Sequence, residues 1–150
     1  MSKRILVGDP QREDFKQLVK LNAVVEKSAK DAGLPKLLIE LVKIRASQLN
    51  GCAFCLDMHA RDAVKAGEDP RRLFVLSAWR ETDLFSEQER AALELAEAMT
   101  TLSQTQDVPD EVYDRATAVF TEEQYIAVAW ATAVINTFNR LAVTARKDLP

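Results

Sequence analysis

Residues 35–67 read PKLLIELVKIRASQLNGCAFCLDMHARDAVKAG, and their spacing decides the fold. From Pro35 the apolar residues Leu38, Leu41, Val42 and Leu49 recur at helical intervals, until Asn50-Gly51 interrupts them. A second helical run opens near Cys52 and stops at Gly67. The stretch predicts two helices joined by a tight turn, with both cysteines at the start of the second.

The same periodicity extends outward. Upstream, Asp9-Pro10 has the form of an N-cap and first helical position. Phe15, Leu18, Val25, Ala29 and Ala32 then mark a stripe that Gly33-Leu34-Pro35 closes. Downstream, Asp69-Pro70 repeats the cap-and-proline start and predicts a short helix through Phe74 and Leu76 towards Trp79. Ser86-Glu87-Gln88-Glu89 and Thr121-Glu122-Glu123-Gln124 both have the capping-box pattern. They open a helix through Leu93, Ala96 and Met99 and a long final helix through Trp130 and Phe138 to about Arg146. Pro109 starts another between them, after a polar connection from Ser103 to Asp107. Strand-type alternation never lasts, although Met1 to Val7 is open to an extended conformation. The expectation is an all-α single domain over residues 1–150, of about six to seven helices around a helix-turn-helix core.

Composition narrows the functional classes. With 47% hydrophobic and 29% charged residues, few glycines and prolines, and no low-complexity stretch, the chain suits one globular domain. Its net charge of −3 comes from mixed signs without a basic cluster, which argues against nucleic-acid binding. The apolar run near the N-terminus is too short for a signal peptide, and Ile126 to Ile135 is about half a membrane span. A cytoplasmic protein without membrane partners is expected. In a reducing compartment, two cysteines point to catalysis, redox chemistry or metal binding rather than a structural disulfide framework.

Both cysteines and the single histidine fall within Cys52-Ala53-Phe54-Cys55-Leu56-Asp57-Met58-His59. A three-residue separation of two randomly placed cysteines has a chance of roughly one in a hundred by counting. On a helix, Cys55 and His59 are i and i+4 neighbours, and Cys52 lies one turn earlier. Leu56 and Ala63 continue this face, so it points inward. A helix N-terminus and an adjacent imidazole lower a thiol pKa, and a CxxC pair at a helix start can close a disulfide. The alternative is that the cysteines are two small buried hydrophobes and His59 a satisfied core histidine. Zinc is disfavoured: the motif offers three ligands and the chain has no further Cys or His, so no metal or cofactor is expected. Glu40 interrupts an apolar run and is the candidate to orient His59; pairing with Lys36 or Lys43 is the competing reading.

Glu40-x11-Cys52-x2-Cys55-x3-His59 resembles the alkylhydroperoxidase AhpD core of the carboxymuconolactone decarboxylase-like superfamily. Softer resemblance runs through Asp62-Ala63, Ala66-Gly67-Glu68, Trp79-Arg80, Phe85 to Leu93 and Ile135 to Leu141, covering most of the chain beyond about residue 34. The resemblance implies an all-helical fold that forms homo-oligomers, often trimers or hexamers, with sites near subunit contacts. It implies thiol-dependent peroxide reduction in antioxidant defence, acting on small organic hydroperoxides. Carried over, Cys55 is the peroxidatic cysteine, Cys52 the resolving one, and Glu40 with His59 the proton relay. A dithiol reductant is implied too, supplied in well-studied relatives by a lipoylated protein. One position departs: some members carry a second histidine where this chain has Phe54, which is expected to pack against a neighbouring helix or subunit. A lactone decarboxylase of the same superfamily needs no cysteine pair, and a redox-sensing helical oligomer would use the dithiol only as a switch.

Asn136, Asn139 and Arg140 form a polar i, i+3, i+4 cluster in an otherwise apolar helix. They are expected either to hydrogen-bond between helices or to line the site or an oligomer contact. Trp79 and Trp130 are expected as core or interface anchors.

Overall fold

A computed structural model describes residues 3–149, and among these the structure is helical without strands. The elements are α1 (Glu13–Asp31), α2 (Lys36–Leu49), α3 (Ala53–Lys65), α4 (Pro70–Phe74), a 3₁₀ helix (Leu76–Glu81), α5 (Glu87–Thr100), α6 (Leu102–Thr105), α7 (Asp110–Val119) and α8 (Glu122–Ala145). The all-α expectation holds.

α2 is the central element. It packs on α3, α5 and α8, and its successive turns feed two hydrophobic clusters. Leu38, Ile39 and Val42 join residues of α1, α5, α7 and α8. Leu41 and Ile44 join Ala63, Leu76, Trp79, Phe85 and Leu93. A helix walled on both sides reads as apolar almost all round, which explains the run around Glu40. The apolar α8 is long enough to span a membrane by length and composition alone. Here it packs against α1, α2 and α5, and Val128, Ala131, Val134 and Ile135 are buried.

Both capping boxes form, with Ser86 and Thr121 accepting from the backbone N–H of Glu89 and Gln124. The start of α1 differs from expectation. Asp9 Oδ1 accepts the Gln11 N–H at 2.9 Å and its carbonyl accepts from Arg12 at 3.0 Å, so Asp9-Pro10 makes a turn and the helix begins three residues later at Glu13. The helix predicted from Pro70 towards Trp79 splits into α4 and the 3₁₀ segment, with non-helical backbone at Ala78. One further turn, α6, forms inside the predicted polar connection and ends at Gln106 in the left-handed region (φ 58°). These short pieces raise the helix count above six to seven. Lys3 to Leu6 carry no regular secondary structure; Met1 and Ser2, from the stretch expected to be extended, lie outside the described residues. Trp79 is buried and donates Nε1–H to Glu97 at 2.9 Å, whereas Trp130 is 50% exposed and is no core residue of this chain.

Candidate active site

The α2–α3 turn places the cysteines. Gly51 adopts φ +65°, a conformation that costs a residue with a Cβ roughly 1–2 kcal/mol. Asn50 is tied to α8 by donating Nδ2–H to Asn136 Oδ1 (2.8 Å) and Asn139 Oδ1 (2.9 Å). The fully buried Asn139 in turn donates to Ser47 Oγ at 2.9 Å, and Asn136 donates to Thr100 Oγ1 at 3.0 Å. Arg140 donates to Asn136 Oδ1 at 2.9 Å. The polar cluster of the last helix is therefore a helix–helix network that pins the turn, not part of the cavity wall.

Cys52 is the N-cap of α3, and its Sγ accepts the Cys55 N–H at 3.3 Å. The two cysteines are paired as a disulfide, with Cα atoms 5.3 Å apart. Both are nearly inaccessible, at 1% and 2% exposure.

One turn on, His59 Nδ1 lies 3.1 Å from Glu40 Oε2. A carboxylate only accepts, so Nδ1 carries the hydrogen and Nε2 is left as the basic nitrogen. Glu40 is 5% exposed. Burial pushes its carboxyl up, but the His59 hydrogen bond, then Lys43, the His59 charge and Lys36, outweigh burial and hold it below its ordinary value. Both sequence readings of Glu40 are thus realised, one on each oxygen: Lys43 Nζ stands 3.8 Å from Oε1. Lys43 itself is 3% exposed and reaches Glu26 Oε1 of α1 at 2.5 Å.

Cys55, His59 and Lys43 line one cavity of about 270 Å³. Its remaining wall is mostly apolar, with Phe15 and Val19 from α1, Met58 from α3, and Ile135, Phe138 and Leu141 from α8. Phe54 is half-buried beside it, and Lys147 Nζ sits 3.9 Å from the centre of its ring. The structure therefore brings together all four sequence-derived site residues, Glu40, Cys52, Cys55 and His59. Sequence reading missed Glu26 and the α1 wall: Glu40 and His59 lie on two helices joined by a tight turn, whereas nothing in the helical spacing says which residues of α1 face Lys43 or the cavity. Lys43 carried a weak signal: a lysine inside a helix otherwise buried on both sides. Among the described residues, no three His, Cys, Asp or Glu side chains are grouped to hold a metal ion.

Fold and site together define a helical CxxC protein with a histidine hydrogen-bonded to a buried glutamate. The chain belongs to the carboxymuconolactone decarboxylase family, whose sequence profile matches residues 16–98. It is 41% identical to the uncharacterized protein YdfG of Bacillus subtilis (strain 168) over 95% of this chain and 94% of that one. The crystal structure of a protein of unknown function from Agrobacterium tumefaciens, provisionally named for AhpD antioxidant defence, superposes with a TM-score of 0.87 at 36% identity over 99% of both chains. The architecture is AhpD-like. A debrominase, Bmp8, shares the fold with a TM-score of 0.70 at 20% identity, over 93% of this chain and 89% of its own. Fold alone leaves the reaction open.

Proposed function

We propose that the chain is a thiol-dependent peroxidase that reduces small organic hydroperoxides through a Cys55–Cys52 dithiol/disulfide cycle. The observation that carries this reading is that Cys55, and not Cys52, lines the apolar cavity together with a histidine backed by a buried carboxylate. In the reduced protein, His59 Nε2 takes the Cys55 proton. The thiolate attacks the terminal peroxide oxygen and the O–O bond breaks. Alkoxide leaves, takes the proton from His59 and departs as alcohol, with Cys55 as sulfenic acid. Cys52 then attacks the Cys55 sulfur, its proton leaves with the hydroxide as water, and the disulfide closes. Glu40 keeps the imidazole in the tautomer this needs.

The same reading makes the protein a cytoplasmic homo-oligomer, trimeric or hexameric, reduced by a dithiol such as that of a lipoylated protein. Exposed Ile126 and Trp130, one turn apart on α8, support a subunit contact there.

Peroxide consumption with dihydrolipoamide as reductant tests the reaction. Cys55→Ser is expected to abolish turnover, and Cys52→Ser to accumulate a sulfenic acid at Cys55. Unchanged turnover in Cys55→Ser would rule the peroxidase out.

A further inference from the structure

The two cysteines of the disulfide line different recesses. Cys55 belongs to the 270 Å³ cavity and Cys52 does not. Cys52 instead forms part of a second recess of about 160 Å³, to which Cys55 does not contribute. That recess is lined by exposed Ala53, Val143 and Arg146. Phe54, Ala142 and Lys147 line both, so the Phe54–Lys147 stack is the partition between them. With each cysteine almost wholly buried, these recesses are the approaches to the dithiol.

We propose that the protein works from two sides, with the oxidant reaching Cys55 through the large cavity and a small dithiol, or the dithiol arm of a carrier, reaching Cys52 through the second recess. The proposal takes its oxidant from the peroxidase reading, while its reductive half stands independently. A thiolate of the dithiol attacks Cys52 Sγ, the Cys52–Cys55 bond breaks, and the electron pair leaves on Cys55 as thiolate. The second thiol then attacks the dithiol's own sulfur in the mixed disulfide and expels Cys52. The dithiol departs as a cyclic disulfide. Two electrons have moved to the protein; the second thiol's proton goes to Cys52, and the Cys55–His59 pair takes from solvent the proton that the attacking thiol had released there.

Three features favour this direction. Substitution at sulfur is collinear, so attack on Cys52 from its own recess expels the sulfur of Cys55, the cysteine that lines the cavity. Exposed Arg146 and half-buried Lys147 place positive charge where the attacking thiolate arrives. Cys52 is released at a helix N-cap, where the Cys55 N–H already donates to its sulfur.

The test separates the half-reactions. Reduction of the disulfide by dihydrolipoamide is followed by thiol counting, and oxidation of the reduced protein by cumene hydroperoxide by rapid mixing. Val143→Trp fills the second recess, and Arg146→Glu reverses its charge without adding bulk. Each is expected to slow reduction at least tenfold while leaving oxidation within twofold. Val19→Trp, in the large cavity only, is expected to do the reverse. Unchanged reduction in both Val143→Trp and Arg146→Glu would overturn the proposal, as would reduction slowed by Val19→Trp alone. Reduction is measured on the disulfide however it forms, so a protein inert to peroxide would sink the peroxidase reading and still leave the route of the reductant decided.

Discussion

At Glu40 a buried carboxylate is shared between an imidazole and an ammonium, and each neighbour does something different to it. His59 supplies the hydrogen bond, and Lys43 supplies charge from 3.8 Å while its own position is held by Glu26. Glu40→Gln keeps an acceptor for Nδ1–H but loses the charge that stabilises an imidazolium. The rate of Cys55 oxidation by cumene hydroperoxide is expected to fall about 10²-fold. Lys43→Met removes the nearby cation, so burial is less opposed and the Glu40 carboxyl should titrate at higher pH than in the parent, as carbon-13 NMR of the carboxyl would show. An unmoved titration would mean that Lys43 does not set the charge of the site. The residue types and register of Glu40, Cys52, Cys55 and His59 were legible in the sequence because three of them share one helix and the fourth interrupts an apolar run. Glu26 was not, because nothing local connects α1 to Lys43.

Helix ends were the most readable elements, since caps are written in adjacent residues: both capping boxes, the Gly33 and Gly67 terminators and the CxxC start all sit where the spacing places them. Asp9-Pro10 shows the limit of that logic, because the same pair that caps a helix also closes a turn. The α2–α3 turn depends on partners from distant α8, and there a tertiary effect is testable. Asn139→Ala removes the donor to Ser47 and the acceptor for Asn50 from a fully buried position. The loss is expected to cost about 2–3 kcal/mol in urea unfolding, with a larger relative drop in turnover than a surface control such as Lys20→Ala shows. A stability change within 0.5 kcal/mol, on the order of ordinary surface substitutions, would remove the network from the account of the turn.

Over the whole molecule, acid stability is expected to reflect two carboxylates, the buried Glu40 and the half-buried Glu97. At Glu97 burial pushes the carboxyl up, but hydrogen bonds from Arg45, Trp79 and Arg80 outweigh it and hold it low, as the partners of Glu40 do there. A carboxyl depressed in the folded state adds stability that is fully present above its unfolded value, for which 4.5 is the ordinary figure, and that is lost as pH falls through the folded one. Tm should therefore hold steady from neutral pH down to about 5 and drop below it. Glu97→Gln should flatten the drop while lowering Tm at pH 7; an unchanged acid limb would place the linkage elsewhere. Assembly belongs to this scale too: Trp130→Arg is expected to shift the protein to a smaller species in light-scattering chromatography, and an unchanged mass would exclude that α8 face as the contact.

The chemistry and the shape of the cavity come from different stretches of chain. Cysteines, histidine and glutamate all lie on the α2–α3 hairpin, whereas Phe15, Val19 and Asn22 of α1 form a wall that supplies no reacting group. α1 packs mainly along α8, with Phe15 edge-on to Phe138, and meets the hairpin through the Glu26–Lys43 ion pair and the buried Val25 and Ala29. Such a division makes selectivity a separately adjustable property. Randomising Phe15, Val19 and Asn22 would give a family of proteins sharing one reactive centre and differing in what they admit to it.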